Sequence, residues 1–130
     1  RPSIMANGTI AFDTLQTSDS VNTGTSKTLD TSYLYNGSAK AWANYTTAST
    51  FVNNDSFNIG SLTDDGAGSC TLNFTNAMTN ASFSSPALSN ETNTIQAGTT
   101  SSSVSIISKN DSPSSADAAR NHTTTHGDLA

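Results

Sequence analysis

Apolar and polar residues alternate along much of this chain, which is the pattern of β-strands that bury one face. The clearest run covers residues 69–75, where Cys70, Leu72 and Phe74 alternate with Ser, Thr and Asn. A second alternating run, residues 57–63, precedes it. The pattern therefore predicts an antiparallel hairpin from these two runs.

The connection between the two runs begins Asp64-Asp65-Gly66. Asp and Gly favour the backbone dihedrals of a tight reversal, so these three residues are predicted to form a turn. The same triplet resembles half of a calcium-binding loop. The alternating ligands and the closing Glu of that loop are absent, so the turn is the preferred interpretation.

Shorter stretches of the same kind predict further strands, about seven to nine in all, as in a β-sandwich. Residues 31–35 end in Asn36-Gly37, a strong hairpin signal. Residues 39–45 would then return, with Trp42 on one face and Ala41, Ala43 and Tyr45 on the other. The remaining candidates are residues 9–15 (with Ile10 and Phe12), 51–52, 81–84 and 103–108.

Composition supports an all-β fold and excludes several classes of function. Ser, Thr and Asn make up 57 of the 130 residues, and there is one Glu and three Lys, too few helix formers for a helical bundle. The net charge is −5 and the five basic residues are scattered, so no nucleic-acid partner is expected. No apolar stretch is long enough for membrane insertion.

The scarcity of large apolar residues predicts an assembly. Only 33% of residues are hydrophobic, and Cys70 is the only cysteine, so no disulfide can form within the chain. We therefore expect a single β-sandwich or jelly-roll-like domain over residues 1–108 that associates with copies of itself. Residues 109–130 are polar and are predicted to form an arm or tail. The predicted core or subunit interface consists of Trp42, Phe57, Leu72 and Phe74. If Trp42 is buried, replacing it with Ala should lower the free energy of unfolding by about 3–5 kcal/mol.

Candidate catalytic and metal sites are weak, so no catalytic residue, metal or cofactor is predicted. His122 and His126 are the only histidines and lie in the predicted arm, where they have no matched acidic or Cys ligand except Asp128. Glu91 has no apolar neighbours in sequence that would raise its pKa for acid catalysis. Cys70 is interpreted as a small buried apolar residue.

Nine Asn-X-Ser/Thr sequences occur in the chain. In a secreted eukaryotic protein they would imply glycosylation. With this content of Ser and Thr, composition alone accounts for many of them, and this is the preferred interpretation.

Several segments resemble small virion proteins of tailed bacteriophages, especially marine ones, which are usually described as tail-fibre or structural proteins. They are Met5-Ala6-Asn7-Gly8-Thr9-Ile10-Ala11-Phe12-Asp13-Thr14-Leu15, Lys40-Ala41-Trp42, residues 55–68, residues 71–75 and the final His126-Gly127-Asp128-Leu129-Ala130. The sequence departs from that family at Asp65, where Asn is usual, and at Cys70, where an aromatic is common. Residues 84–125 match it poorly.

This resemblance implies a non-enzymatic β-structured protein of the virion that forms a homotrimer. The first hypothesis is a tail-fibre or tail-tip module for host attachment, and the alternative is a capsid decoration protein that stabilises the shell. The expected partners are copies of the chain, other virion proteins and a host-surface glycan. A third hypothesis is a secreted carbohydrate-binding module, for which Trp42, Tyr33, Tyr35 and Tyr45 are the available aromatic residues.

Overall fold

A computed structural model of the protein describes residues 14–16, 28–112 and 114–130. The chain divides into two compact units, residues 1–38 and residues 39–130. Strands dominate the second unit, and the described residues of the whole chain contain only one short helix, so the all-β prediction is confirmed. The first predicted strand, residues 9–15, lies outside the described residues except for its last two positions.

The first unit contains a small antiparallel ladder and the helix. β1 (Thr14–Gln16) pairs with β2 (Thr28–Asp30), and α1 (Thr31–Gly37) follows at once. The prediction of a strand over residues 31–35 with a hairpin at Asn36-Gly37 is wrong. The Asp30 carboxylate accepts a 2.8 Å hydrogen bond from the Ser32 amide and so caps a helix N-terminus.

Two four-stranded antiparallel sheets make up the second unit. The first sheet contains β3 (Ala41–Thr46), β4 (Val52–Phe57), β7 (Ala87–Ser89) and β10 (Asn121–Thr125) in the order β4-β3-β10-β7. Each strand runs antiparallel to its neighbours.

The second sheet has the order β5-β6-β9-β8. Its strands are β5 (Ile59–Asp64), β6 (Ser69–Phe74), β8 (Asn93–Thr100) and β9 (Ser103–Lys109). β5 and β6 form the hairpin that the alternating pattern predicts, with Leu62 opposite Leu72.

Residues from both sheets form the hydrophobic core. Because side chains alternate across a strand, β3, β6 and β9 each contribute every second residue. The buried members are Ala41, Ala43, Tyr45, Cys70, Leu72, Phe74, Met78, Val104 and Ile106. Only two of them, Tyr45 and Phe74, are aromatic, so the interior is filled largely by small and aliphatic side chains.

The C-terminal residues differ from the predicted arm, and the boundary predicted at residue 108 does not hold. β10 lies inside the first sheet, between β3 and β7. Its inward-facing residues Asn121, Thr123 and Thr125 are buried, and the Ser85 hydroxyl lies 3.1 Å and 2.8 Å from the two Thr hydroxyls. Polar residues can face the interior here because they satisfy one another's hydrogen bonds.

Candidate binding face

The four residues predicted for the core or an interface fall into two pairs. Leu72 and Phe74 lie on β6 and belong to the core. Trp42 and Phe57 lie on the outer face of the first sheet, where 37% and 54% of their surfaces are exposed. Within this chain, therefore, Trp42 and Phe57 are not core residues.

Trp42 and Phe57 are direct cross-strand neighbours. They occupy opposite positions in the β3–β4 ladder, and Thr124 of β10 is opposite Trp42 on its other side. The side chains of such opposed residues are close enough to interact. Ala41 and Ala43 on either side of Trp42 point into the core, so the alternation of β3 obliges Trp42 to face outward.

One row further along the sheet, the same face carries polar side chains. Asn44 is opposite Asp55 on β4 and opposite His122 on β10. His122 is in turn opposite Leu88 on the edge strand β7, and 73% of the Leu88 surface is exposed. We call this surface, made of Trp42, Asn44, Asp55, Phe57, Leu88, His122 and Thr124, the aromatic face.

A β-bulge shapes the polar row. The register of β3 and β4 shifts after Asn44, so that Asn54 becomes an extra residue in β4. Its side-chain amide donates a 3.3 Å hydrogen bond to Oδ1 of Asn44. One carboxylate oxygen of Asp55 accepts a 2.9 Å hydrogen bond from the Ser56 amide. The bulge thus leaves amide and carboxylate groups grouped beside the two aromatic rings.

A shallow apolar hollow continues the aromatic face toward β7. Its volume is about 200 Å³, and it is lined by Pro86, Ala87, Leu88, His122, Thr123 and Thr124. The hollow is therefore large enough for one small ring or branched group of a ligand.

The outer face of the second sheet is different in character. Hydroxyl and amide side chains there bond to one another: the Thr71 and Ser105 hydroxyls are 2.6 Å apart, and the Asn73 amide donates to Ser61 and Thr63 at 3.1 Å and 2.9 Å. Groups already paired in this way have less capacity for a ligand. Of the two outer faces, the aromatic face is therefore the better candidate site.

Of the predicted turn residues, Asp64 is the last residue of β5, and Asp65 and Gly66 lie in the connection to β6. The Gly66 amide donates to the Asp64 carboxylate at 2.9 Å, and the Asp65 amide donates to the Ser69 carbonyl at 3.0 Å. Gly66 has φ +113°, a value that disfavours residues with a side chain. The Asp65 carboxylate accepts a 2.6 Å hydrogen bond from the Thr71 hydroxyl, so these polar groups hold the turn together.

Of the seven residues of the aromatic face, sequence reasoning singles out only Trp42 and Phe57. The sequence places His122 and Thr124 in the predicted arm, includes Leu88 in no predicted strand and assigns Asn44 and Asp55 to no site. A strand is normally recognised in a sequence by its inward apolar residues. The inward residues of β10 are the polar Asn121, Thr123 and Thr125, so the sequence does not reveal this strand. Burial of those three residues is what brings His122 beside Asn44.

Reactive groups are few elsewhere in the part of the chain that the structure describes. No group of three or more His, Cys, Asp or Glu residues there could hold a metal ion. Cys70 is buried, and burial, with smaller contributions from the charges of Asp65 and Asp64, raises the pKa of its thiol to about 12. A thiol held protonated in this way is a poor nucleophile.

Comparison with known proteins adds no relative. The chain has no significant match among family models, curated proteins or solved structures. Among the described residues, no helix has the length and apolarity needed to cross a membrane.

Proposed function

We propose that this chain is a non-enzymatic structural protein of a bacteriophage virion, a tail-fibre or tail-tip module that contributes to host attachment. The observation that carries the attachment role is the exposed Trp42–Phe57 pair on the aromatic face. The virion assignment is supported by the resemblance of residues 5–83 to phage structural proteins.

The placement of the aromatic residues favours a binding role. The chain has one Trp, and the fold puts it on an outer surface while Ala41 and Ala43 fill the interior beside it. Exposed apolar groups that are contiguous and rimmed by polar residues are typical of interaction sites. Phe57 beside Trp42, and Asn44 and Asp55 in the next row, make up such a surface.

The proposal includes an architecture and an assembly state. The two sheets are taken as the layers of a β-sandwich, since residues from both enter one core. The assembly is taken as a homotrimer. Helix α1 supports self-association, because its Tyr33 and Leu34 are 74% and 53% exposed and a seven-residue helix has little stability by itself.

The attachment role is tested in a particle that carries this protein. Replacing Trp42 and Phe57 together with Ala is expected to lower the rate of adsorption to host cells. Ile95→Ala is the matched control, because Ile95 is also exposed but lies in the second sheet. Normal adsorption of the double variant, or absence of the protein from the particle, would contradict the proposal.

Capsid decoration is distinguished by location and copy number. A decoration protein would be found on the shell, in many more copies than a tail fibre. Antibody labelling of intact particles and quantitative mass spectrometry of purified virions provide both measurements.

A further inference from the structure

We infer that the aromatic face binds a neutral saccharide, with Trp42 and Phe57 as the stacking platform and Asn44, Asp55 and His122 as hydrogen-bonding groups. This inference rests on the proposed attachment function and names the chemical class of its ligand.

The platform suits the apolar side of a sugar ring. A pyranose ring carries several C–H groups on one side, and these have a partial positive charge. The face of an aromatic ring carries a partial negative charge, so it attracts these C–H groups, and stacking on the ring also removes water from them. Trp42 and Phe57 lie side by side in the ladder and are both partly open to solvent.

The polar row suits the hydroxyl groups of the same ring. Asn44 follows Trp42 on the same side of β3, about 7 Å along the strand at 3.3–3.4 Å per residue. Sugar hydroxyls both donate and accept, and an amide offers both functions. Within the described residues, the Asn44 side chain accepts one hydrogen bond from Asn54, and its amide nitrogen donates none.

Two more polar groups flank Asn44. Asp55 is an acceptor on one side and His122 carries ring nitrogens on the other, each directly opposite Asn44 in its ladder. The hollow beside His122 and Leu88 extends the surface further. A chain of two or more sugar rings would therefore contact more of the aromatic face than a single ring does.

Charge favours a neutral ligand. The four strands of the first sheet contain no Lys or Arg, and Asp55 adds a negative charge to the face. The whole chain carries a net charge of −5. Acidic sugars, anionic lipids and nucleic acids would be repelled.

A second copy of the chain is a less suitable occupant. An interface between copies would remove water from Asn44, Asp55 and His122, and each would need a new hydrogen-bond partner. Exposed Asp55 would also face a copy with the same negative charge. A saccharide supplies those partners through its own hydroxyl groups.

Trp42 is the only Trp in the chain and so reports on its own site. We would titrate the protein with methyl β-glucoside, methyl β-galactoside, N-acetylglucosamine and the β1,4-linked tetramers of glucose and N-acetylglucosamine while recording Trp fluorescence. A saturable change is expected for at least one neutral sugar, with tighter binding of its tetramer. N-acetylneuraminic acid is expected to bind at least tenfold more weakly.

Variants on the aromatic face keep the reporter in place. Phe57→Ala and Asn44→Ala are expected to weaken saccharide binding at least tenfold, whereas Ile95→Ala leaves it unchanged. Circular dichroism and cooperative unfolding of each variant check that the fold is intact. If the Phe57→Ala and Asn44→Ala variants bound the saccharide as tightly as the unmodified protein does, the inference would be overturned.

Failure of this inference differs visibly from failure of the proposed function. If no sugar in the panel changes the fluorescence, yet the Trp42 and Phe57 double variant impairs host adsorption, the attachment role stands and the saccharide assignment is overturned. If Trp42 fluorescence instead depends on protein concentration and the mass in solution falls for the Phe57→Ala variant, the face is an interface between copies. That result overturns both the saccharide assignment and the attachment role.

Discussion

The Ser108 hydroxyl donates a 2.8 Å hydrogen bond to Oδ1 of Asn121, and both side chains are buried. Ser108 belongs to β9 of the second sheet and Asn121 to β10 of the first, so this bond joins the two sheets. The Asn121 amide also reaches the Ala118 carbonyl at 3.3 Å. Thr47 completes the cluster, because its hydroxyl accepts a 2.9 Å hydrogen bond from the Ala118 amide.

Replacing Asn121 with Ala should lower the free energy of unfolding by about 1–3 kcal/mol, because buried partners such as the Ser108 hydroxyl would lose their hydrogen bonds. Chemical denaturation measures the change. Asn93→Ala is the control, since Asn93 lies exposed on β8 and should tolerate the same change. Equal stability of the two variants would show that the cluster contributes nothing.

Leu72→Ala should destabilise the protein more than Trp42→Ala. Leu72 is fully buried, so its truncation should cost about 2–5 kcal/mol through lost burial and a cavity. Trp42 is 37% exposed, so Trp42→Ala should lower the free energy of unfolding by less than Leu72→Ala does, with a difference of about 1 kcal/mol or more. This expectation replaces the estimate made for a buried Trp42. Denaturant midpoints of both variants give the order, and the reverse order would place Trp42 in the core.

Gly68→Ala should be strongly destabilising, by about 2 kcal/mol or more. Gly68 has φ +66°, and an added Cβ would lie 2.3 Å from the Ala116 carbonyl oxygen. Gly98→Ala is the matched control, because an added Cβ there meets nothing within 4 Å. Thermal unfolding of the two variants is the measurement, and a wild-type melting temperature for Gly68→Ala would contradict the close approach of residue 116 to this turn.

Stability should fall at alkaline pH. Burial raises the pKa of the Cys70 thiol from 9.0 to about 12 and also raises the pKa of the Tyr45 phenol. The unfolded state loses the Cys70 proton first, so the contribution of the neutral thiol is fully present below pH 9.0 and is lost as the pH rises toward about 12. Unfolding free energies between pH 8 and 11 measure this slope, and it should be shallower in Cys70→Ala; an identical slope in that variant would exclude Cys70 as its source.

Local alternation was sufficient to predict the β5–β6 hairpin. Cys70, Leu72 and Phe74 are apolar at every second position, and a strand with one buried face needs no other information. The same reasoning correctly separated Trp42 from Ala41 and Ala43 on β3. Alternation alone does not determine which side of β3 faces the core. Trp42 is predicted from the sequence for the core or an interface because its side chain is the largest on the strand.

Local signals failed where a competing local interaction or a distant partner decided the structure. Tyr33 and Tyr35 favour a strand by propensity, but the Asp30 cap starts a helix there. β10 contains no aliphatic or aromatic residue apart from His122, and its inward Asn and Thr become buried only because Ser85, Ser108 and neighbouring groups bond to them.

Alternation of apolar and polar residues is enough to predict the β-rich class of this protein and the two sides of its clearest strands, because side-chain direction along a strand follows from the backbone alone. Packing of the two sheets selects which face of each strand is interior, and it places the polar C-terminal residues in the first sheet. Both outcomes depend on hydrogen-bond partners far apart in sequence, such as Ser108 with Asn121 and Ser85 with Thr125. They also place Trp42, Phe57 and His122 on one surface, and no local pattern in the chain contains that relationship.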